Sequence, residues 1–335
     1  MAFIEPSKIY TYFKNNYNLK KTSKGWHAFS CPICNEDSNR KKMAVHFIYK
    51  KVKCWVCGYN EFVTKFVSDI EGLDHNKSKE LLNKCKPSAV NLDIESIESD
   101  RSGKVLATAK LPVGFNSLMD GDGVLGVRAR TYVSDRGFDP VRMDNMGFGY
   151  CNKKADTEES NYFGYLMIPF KDKGRLVYYI GRDYIGNFLR YKNPDKGDFS
   201  VGKGDIFFNE DAIHLYDEVF VLEGWADAFT IGDNAIASLG WKLSVTQISK
   251  LIKSEVDIIT LVPDSGFDGQ GVSFYIRALE LALQLIDHKL VKVVDPKQFV
   301  GGKDVNEIGR DSFMKAYNNC EVLDGRSIAL KILED

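Results

Sequence analysis

Four cysteines near the N-terminus are spaced as metal ligands. They form two C-x2-C pairs, "CPIC" at 31–34 and "CWVC" at 54–57, with nineteen residues between the pairs. Two intervening residues let a tight turn point both sulfurs of a pair at one ion, and four thiolates favour zinc over magnesium or calcium. The sequence therefore predicts a structural zinc site, with an iron site or four buried cysteines as the alternatives. Its ligands would be Cys31, Cys34, Cys54 and Cys57.

Basic and aromatic residues surround these cysteines. Residues 20–53 contain nine Lys or Arg against two acids, Glu36 and Asp37, although the whole chain has a net charge of −1. Rings can stack on bases while ammonium groups neutralise phosphates, so the segment suits single-stranded nucleic acid. A solvated lysine surface, with rings that only form a small core, is the alternative. The rings expected to contact nucleic acid are Trp55 and Tyr59.

A second group of candidate functional residues consists of acids. In "EVFVLEGWADAF" a predicted strand delivers Glu223 at its C-terminal end, and Asp227 follows in the first turn of a helix. The strand "IITLVPD" ends in Asp264, and glycines surround Asp268 just beyond it. Acids at neighbouring strand ends can share a divalent cation, and oxygen ligands select magnesium or manganese. Acids at strand ends are also common without any metal, and an acidic turn is the alternative interpretation.

The elements that must position these acids alternate along the second half of the chain. Strand-like runs such as "EVFVLEG" and "VDIITLVPD" are separated by helical patterns such as "SVTQISKLIKSE". In "GVSFYIRALELALQLIDHK" the residues expected to face a sheet, because they recur at helical spacing, are Phe274, Ala278, Leu281 and Leu285. Strands alternating with helices predict an α/β domain with a largely parallel sheet.

The first third of the chain is organised differently. Residues 1–85 alternate short helical and strand-like patterns around the cysteines, and residues 86–104 are polar and acidic, as in a linker. No apolar run approaches the ~20 residues that cross a bilayer, and the N-terminus lacks a signal-peptide pattern. We therefore expect a reducing, cytoplasmic location and no membrane partner. In that compartment seven cysteines favour metal binding over disulfides.

These motifs, and their order, resemble the DNA primases of bacteria and phages. "VLEGWADAF", "AIASLGWKLS" and "LVPDSGFDGQG" are similar to their Toprim domain, and "GWHAFSCPICNEDSNRKKMAVHFIYKKVKCWVCGY" is similar to their N-terminal zinc ribbon. "YVSDRGFDP" and "YIGRDYIGNFLRYKNPDKGDFSVGKGDIFFNEDA" resemble the start of the catalytic core and its basic subdomain. The size and the four-cysteine ribbon look closest to the stand-alone primases of T4-like phages. Many bacterial relatives have a His where this chain has Cys34.

The resemblance implies a Toprim-type, mostly parallel α/β sheet, a basic α+β subdomain and an N-terminal zinc-ribbon domain joined by a linker. The predicted boundaries are 1–85 for the zinc-ribbon domain, 86–104 for the linker, 105–212 for the basic N-terminal subdomain of the catalytic core, 213–310 for the Toprim domain and 311–335 for a C-terminal helical segment.

The resemblance also implies roles for the acids. Glu223, Asp227 and Asp264 match catalytic acids that bind Mg2+ or Mn2+ in the family. The family's second aspartate, in D-x-D, would fall where Gly266 stands. In this chain Gly271 matches the glycine of the family's D-x-x-G, and Asp268 stands three residues before it. A two-residue insertion between the two aspartates would therefore explain the departure. A further acid of this kind is Asp304 in "GGKDVNE".

Basic and polar residues match the positions that contact nucleotide triphosphate and DNA in the family. Arg182 lies in "IGRDY", and "RYKNP" aligns with a lysine-tyrosine-x-asparagine run in which Arg190 replaces lysine, keeping the charge but changing the donor geometry. Lys203 is a further candidate. The remaining matches are Tyr191 and Asn193.

The function implied is synthesis of short RNA primers on a single-stranded DNA template from ribonucleoside triphosphates. A replicative helicase is the partner expected by family analogy, since the chain has no phosphate-loop motif of its own. If the chain is phage-encoded, the location is the host cell cytoplasm. The alternatives are a Toprim nuclease, which would cut DNA without nucleotides, and a recombination mediator with zinc and Toprim elements, which would bind DNA without catalysis.

Overall fold

The computed structural model describes residues 4–22, 25–34, 41–87, 107–157, 161–194, 201–240 and 242–334. Contacts divide the chain into an N-terminal unit (1–105, 110–168 and 180–194) and a C-terminal unit (106–109, 169–179 and 195–335). Residues 88–104 of the predicted linker lie outside the described residues, and the predicted domain boundaries stay predictions. No described helix is both long and apolar enough to cross a bilayer.

A five-stranded antiparallel sheet in the N-terminal unit carries the cysteines. Its strands, in sheet order, are β1 (Lys20–Lys21), β2 (Trp26–Phe29), β3 (Met43–His46), β4 (Lys51–Cys54) and β5 (Asn60–Phe62). Strands β3 and β4 form an antiparallel hairpin, with Met43 opposite Cys54. The helices α1 (Pro6–Asn16), α2 (Val63–Glu71) and α3 (His75–Lys84) share a core with the sheet, built around Phe13, Phe29 and Phe66.

A second five-stranded sheet follows along the chain. Its strands are β6 (Phe115–Ser117), β7 (Gly149–Cys151), β8 (Tyr165–Asp172), β9 (Arg175–Asp183) and β10 (Tyr191–Lys192), and they lie in the order β10-β9-β8-β7-β6. Two helices, α4 (Val124–Asp135) and α5 (Pro140–Met146), separate β6 from β7. Strand β10 is an edge strand that pairs antiparallel with β9, placing Tyr191 opposite Arg182.

A buried carboxylate ties α3 to α5 within the N-terminal unit. Asp144 accepts hydrogen bonds from His75 Nε2 (2.8 Å), Lys79 Nζ (2.9 Å), the Ser117 hydroxyl and the backbone N–H of Met119 (3.1 Å). These donors hold the pKa of Asp144 below its ordinary value although burial opposes that shift. The carboxylate is therefore ionised and fully paired, as a buried charge must be.

The C-terminal unit contains the predicted parallel sheet. Its strands are β11 (Glu218–Leu222), β12 (Ala235–Ala237), β13 (Ile258–Leu261) and β14 (Leu290–Val293), in the order β12-β11-β13-β14 with parallel pairing throughout. The helices of this unit are α6 (Trp225–Ile231), α7 (Val245–Lys253), α8 (Phe274–Leu285), α9 (Val305–Tyr317) and α10 (Gly325–Glu334). Short 3-10 helices cover Lys203–Asp205, Glu210–His214 and Pro296–Gln298. The predicted α/β class with a mostly parallel sheet is confirmed.

Candidate active site and metal centre

The structure brings the four predicted cysteine sulfurs together. All four Sγ atoms lie within 4.8 Å of one another, with 4.0 Å between Cys31 and Cys57 and 4.0 Å between Cys34 and Cys54. A tetrahedral site with Zn–S bonds of about 2.3 Å has sulfur–sulfur edges of about 3.8 Å, so the arrangement fits one ion. Burial raises the pKa of Cys31 to about 12 against the backbone N–H groups of its turn, whereas the N–H groups of Cys57 and Val56 lower the pKa of Cys54 despite its burial. The donor set therefore fits zinc.

The two predicted nucleic-acid rings near this cluster differ in environment. Trp55 is 56% exposed, and the Lys53 ammonium lies 5.8 Å from its ring centroid. Tyr59 instead donates its hydroxyl to Asp69 (2.8 Å) and packs edge-on against Phe66. Burial, followed by the Asp69 carboxylate, raises the pKa of Tyr59. Trp55 is available for stacking, whereas Tyr59 is engaged in the fold of the ribbon.

The predicted acids gather at the carboxyl edge of the parallel sheet. Glu223 directly follows β11, and Asp264 lies three residues beyond β13, the strand next to β11. Burial and then, in decreasing order, the neighbouring acids Asp227, Glu223, Asp304 and Glu307 together raise the pKa of Asp264 to about 8. Burial also raises the pKa of Glu223. Several carboxylates thus lie close enough to repel one another, as in a site for a divalent cation.

The N-terminus of α9 fixes two of these acids. Asp227 Oδ1 accepts the backbone N–H of Asn306 (2.9 Å), and Asp304 Oδ1 accepts that of Glu307 (2.8 Å). The Glu307 carboxylate in turn accepts the N–H of Lys303 (2.7 Å). The positive end of the helix therefore stabilises negative charge on both aspartates. Asp304 also has an ordinary structural role as the N-cap of α9.

Gly224 leaves room for the Asp227 carboxylate. A Cβ atom on Gly224 would lie 2.4 Å from Asp227 Oδ2, closer than any real contact. Asn306 and Glu307 were not among the site residues predicted from the sequence. The D-x-x-E spacing of Asp304 and Glu307, which resembles a capping box, is a signal that points to the last of them.

Asp268 has a different setting. Its Oδ1 accepts the N–H groups of Gln270 (2.8 Å) and Val272 (3.0 Å), and its Oδ2 lies 2.7 Å from Arg277 Nη2. These bonds lower the pKa of Asp268. Asp268 is not among the four acids that most raise the pKa of Asp264. The structure shows Asp268 closing a turn against α8, and its predicted role as a metal ligand stays a prediction.

The predicted basic residues lie in both units. In the N-terminal unit Arg182 is only 8% exposed; its Nε donates to the Tyr132 hydroxyl (2.9 Å) and its guanidinium lies 4.7 Å from the Tyr191 ring centroid. Its Nη1 is buried and has no hydrogen-bond partner among the described residues. Arg190 and Asn193, which flank strand β10, are exposed. Lys203 is exposed in the C-terminal unit.

Comparison with known proteins gives the arrangement a family context. No family model matches the chain. A DNA primase from Staphylococcus aureus (strain COL) is 26% identical over an alignment of 315 residues, and the match covers 79% of this chain and 51% of the relative. The chain is thus similar in sequence to bacterial DNA primases. It spans about half the length of this curated primase.

Solved primase structures share the fold. The zinc-binding and RNA polymerase domains of the Aquifex aeolicus primase superpose with a TM-score of 0.50 at 20% identity, covering 94% of this chain and 84% of that one. A DnaG primase catalytic domain bound to single-stranded DNA gives a TM-score of 0.50 at 20% identity, covering 65% and 77%. The predicted combination of a ribbon and a primase-type core is therefore confirmed at the level of the fold. The predicted closeness to T4-like phage primases stays a prediction.

Proposed function

We propose that this protein is a DNA primase that joins ribonucleotides into short RNA primers on single-stranded DNA. The observation that carries the proposal is the group of acids at the carboxyl edge of the parallel sheet, where the pKa of Asp264 reaches about 8. Such a cluster is stable as an ionised group only when a cation balances it. The primase relatives are the second support, and they disfavour a nuclease or a recombination mediator.

In this proposal the acids hold Mg2+ or Mn2+. Glu223 and Asp264 offer the carboxylates at the two central strand ends, and Asp227 and Asp304 flank them at the α9 N-terminus. When bound, the ions would neutralise phosphate charge and lower the pKa of the attacking hydroxyl. The reaction joins the primer's 3′-oxygen to the α-phosphorus of the incoming nucleotide and breaks its bond to pyrophosphate. The hydroxyl proton leaves to solvent.

The basic residues would hold the polyanionic substrates. Arg182 is oriented by Tyr132 and Tyr191, and its buried Nη1 offers a donor to a phosphate oxygen. Arg190, Tyr191 and Asn193 would extend this contact, and Lys203 would be a separate phosphate-binding residue of the C-terminal unit. A related DnaG domain has been solved with single-stranded DNA, which supports the same substrate class here.

The ribbon would contribute to template choice. Zinc at the four cysteines would hold the two turns together, and Trp55 would stack on a template base beside the Lys53 charge. Ribonucleoside triphosphates are the substrates and a replicative helicase is the expected partner. A phage origin and a cytoplasmic location belong to the same proposal.

The experiment supplies the full chain with single-stranded DNA, radiolabelled ribonucleoside triphosphates and Mg2+, with and without a replicative helicase. Template-dependent oligoribonucleotides are expected. Degradation of the DNA in the absence of nucleotides would support the nuclease alternative. Tight DNA binding without either reaction would support the mediator.

A further inference from the structure

The hairpin loop between β9 and β10, residues 184–190, is held rigidly by hydrogen bonds. The Asp183 carboxylate accepts the N–H groups of Ile185 (3.1 Å) and Gly186 (3.1 Å), and Asn187 Nδ2 donates to the Phe163 carbonyl (3.1 Å). The Tyr165 hydroxyl donates to the carbonyl of Leu189 (3.0 Å), and the N–H of Asp183 donates to the carbonyl of Arg190 (3.0 Å). Both ends and the middle of the loop are therefore fixed to the sheet.

This fixed loop displays an apolar ring to solvent. The Phe188 side chain is 100% exposed, and Leu189 beside it is 47% exposed. Burying a phenylalanine side chain stabilises a protein by roughly 1.5–3 kcal/mol, and this position forgoes that gain. A rigid backbone that presents an exposed ring loses little conformational entropy on binding, so the ring is preorganised for a contact outside the chain.

The charges around the loop select the kind of contact. Between residues 182 and 194 there are three basic side chains, those of Arg182, Arg190 and Lys192, against one acid, Asp183. That acid faces inward onto loop N–H groups. A net positive surface that carries an exposed ring suits an occupant with negative charge and flat apolar faces, and single-stranded nucleic acid has both properties.

We propose that Phe188 is a stacking platform for a base of single-stranded DNA, placed at the tip of the β9–β10 loop. Arg190 contacts the phosphate next to that base, since it is exposed two residues along the loop. The Tyr191 ring, which carries the Arg182 guanidinium at 4.7 Å, lies one residue further along the same edge. The choice of single-stranded DNA as the ligand rests on the proposed function. Phe188 would bind that DNA outside the acidic site.

The test measures binding of single-stranded DNA in the absence of nucleotides, so that catalysis is not required. The oligonucleotide carries 2-aminopurine, whose fluorescence is quenched when it stacks on a ring. Because stacking contributes about 1–3 kcal/mol per base, Phe188→Ala should weaken binding roughly tenfold and remove the protein-dependent quenching. Phe188→Trp should keep both properties. Phe188→Leu should behave like the alanine variant, because it keeps an apolar side chain without a ring.

Val124→Ala is the matched control, since Val124 is also apolar, 74% exposed and in the same unit. It should bind like the wild type. Unchanged affinity and quenching in Phe188→Ala would overturn the inference, and so would full affinity in Phe188→Leu. If Phe188 variants lose binding while the wild type makes no primers, the stacking site stands and the proposed function fails. If primers form normally and Phe188→Ala binds DNA normally, the function stands and the stacking site fails.

Discussion

Asp264→Asn should stabilise the protein in buffer free of magnesium. The substitution keeps the shape of the side chain and removes the charge that its acidic neighbours oppose. A carboxyl whose pKa is raised in the folded state favours folding at low pH, and that advantage is lost as pH rises. For Asp264 the loss extends from its ordinary value of 3.8 to about 8.

The size of the effect follows from this shift. At pH 7 roughly three of the pKa units lie between the unfolded value and the solution pH, and each unit corresponds to about 1.4 kcal/mol, giving an upper limit of about 4 kcal/mol. Asp264 is only partly buried, so water screens the repulsion. We therefore expect a gain in the free energy of unfolding of about 1–2 kcal/mol at pH 7 and almost none at pH 4.

The assay is urea unfolding of both proteins at pH 4 and pH 7, without chelator so that zinc is retained. Asp268→Asn is the matched control. The pKa of Asp268 is lowered by its hydrogen bonds and its ion pair with Arg277, so removing the negative charge should destabilise the protein at pH 7. Adding Mg2+ should stabilise the wild type and remove the advantage of Asp264→Asn. A variant that is less stable than the wild type without Mg2+ at pH 7 would refute the reasoning.

Three further predictions concern residues that stabilise the acidic site, the zinc ribbon or the N-terminal unit. Gly224→Ala should displace the Asp227 carboxylate and lower primer synthesis by more than about tenfold. DNA binding, measured by fluorescence anisotropy, should be retained. An equal loss of DNA binding would contradict this prediction. Removal of zinc by a chelator should unfold the ribbon, seen by circular dichroism, and abolish initiation before it affects the core. Asp144→Asn should lower the free energy of unfolding by roughly 3 kcal/mol at pH 7, because His75 and Lys79 lose their buried partner. The difference from the wild type should shrink at strongly acidic pH, where Asp144 is itself protonated; a constant difference in urea unfolding across pH would contradict this.

The sequence was sufficient to predict the parts of the fold that depend on short spacings. The two C-x2-C turns converge because β3 and β4 pair as a hairpin, and the acids of two strand ends meet because β11 and β13 are parallel neighbours. Both arrangements follow from pattern and topology, without knowledge of distant contacts.

Features that depend on distant side chains could not be predicted. Asp268 bonds to Arg277 on the following helix, a contact that no local motif announces. The buried stripe of α8 also differs from the expected one: Ala278 and Leu285 are buried as predicted, but Phe274 and Leu281 are only partly buried. Helix α8 packs against both β14 and α10, so the face that it buries is not the one that a single sheet contact would select.

The most direct test of the account compares Glu223→Gln with the wild type in primer synthesis and in DNA binding, with folding checked by circular dichroism. The wild type should make template-dependent oligoribonucleotides in Mg2+. Glu223→Gln should make none while binding single-stranded DNA normally, because the amide keeps the shape of the side chain and removes a charge that the cation requires. Near-normal synthesis by a folded Glu223→Gln variant would contradict the central claim that the acids at this sheet edge form the catalytic site.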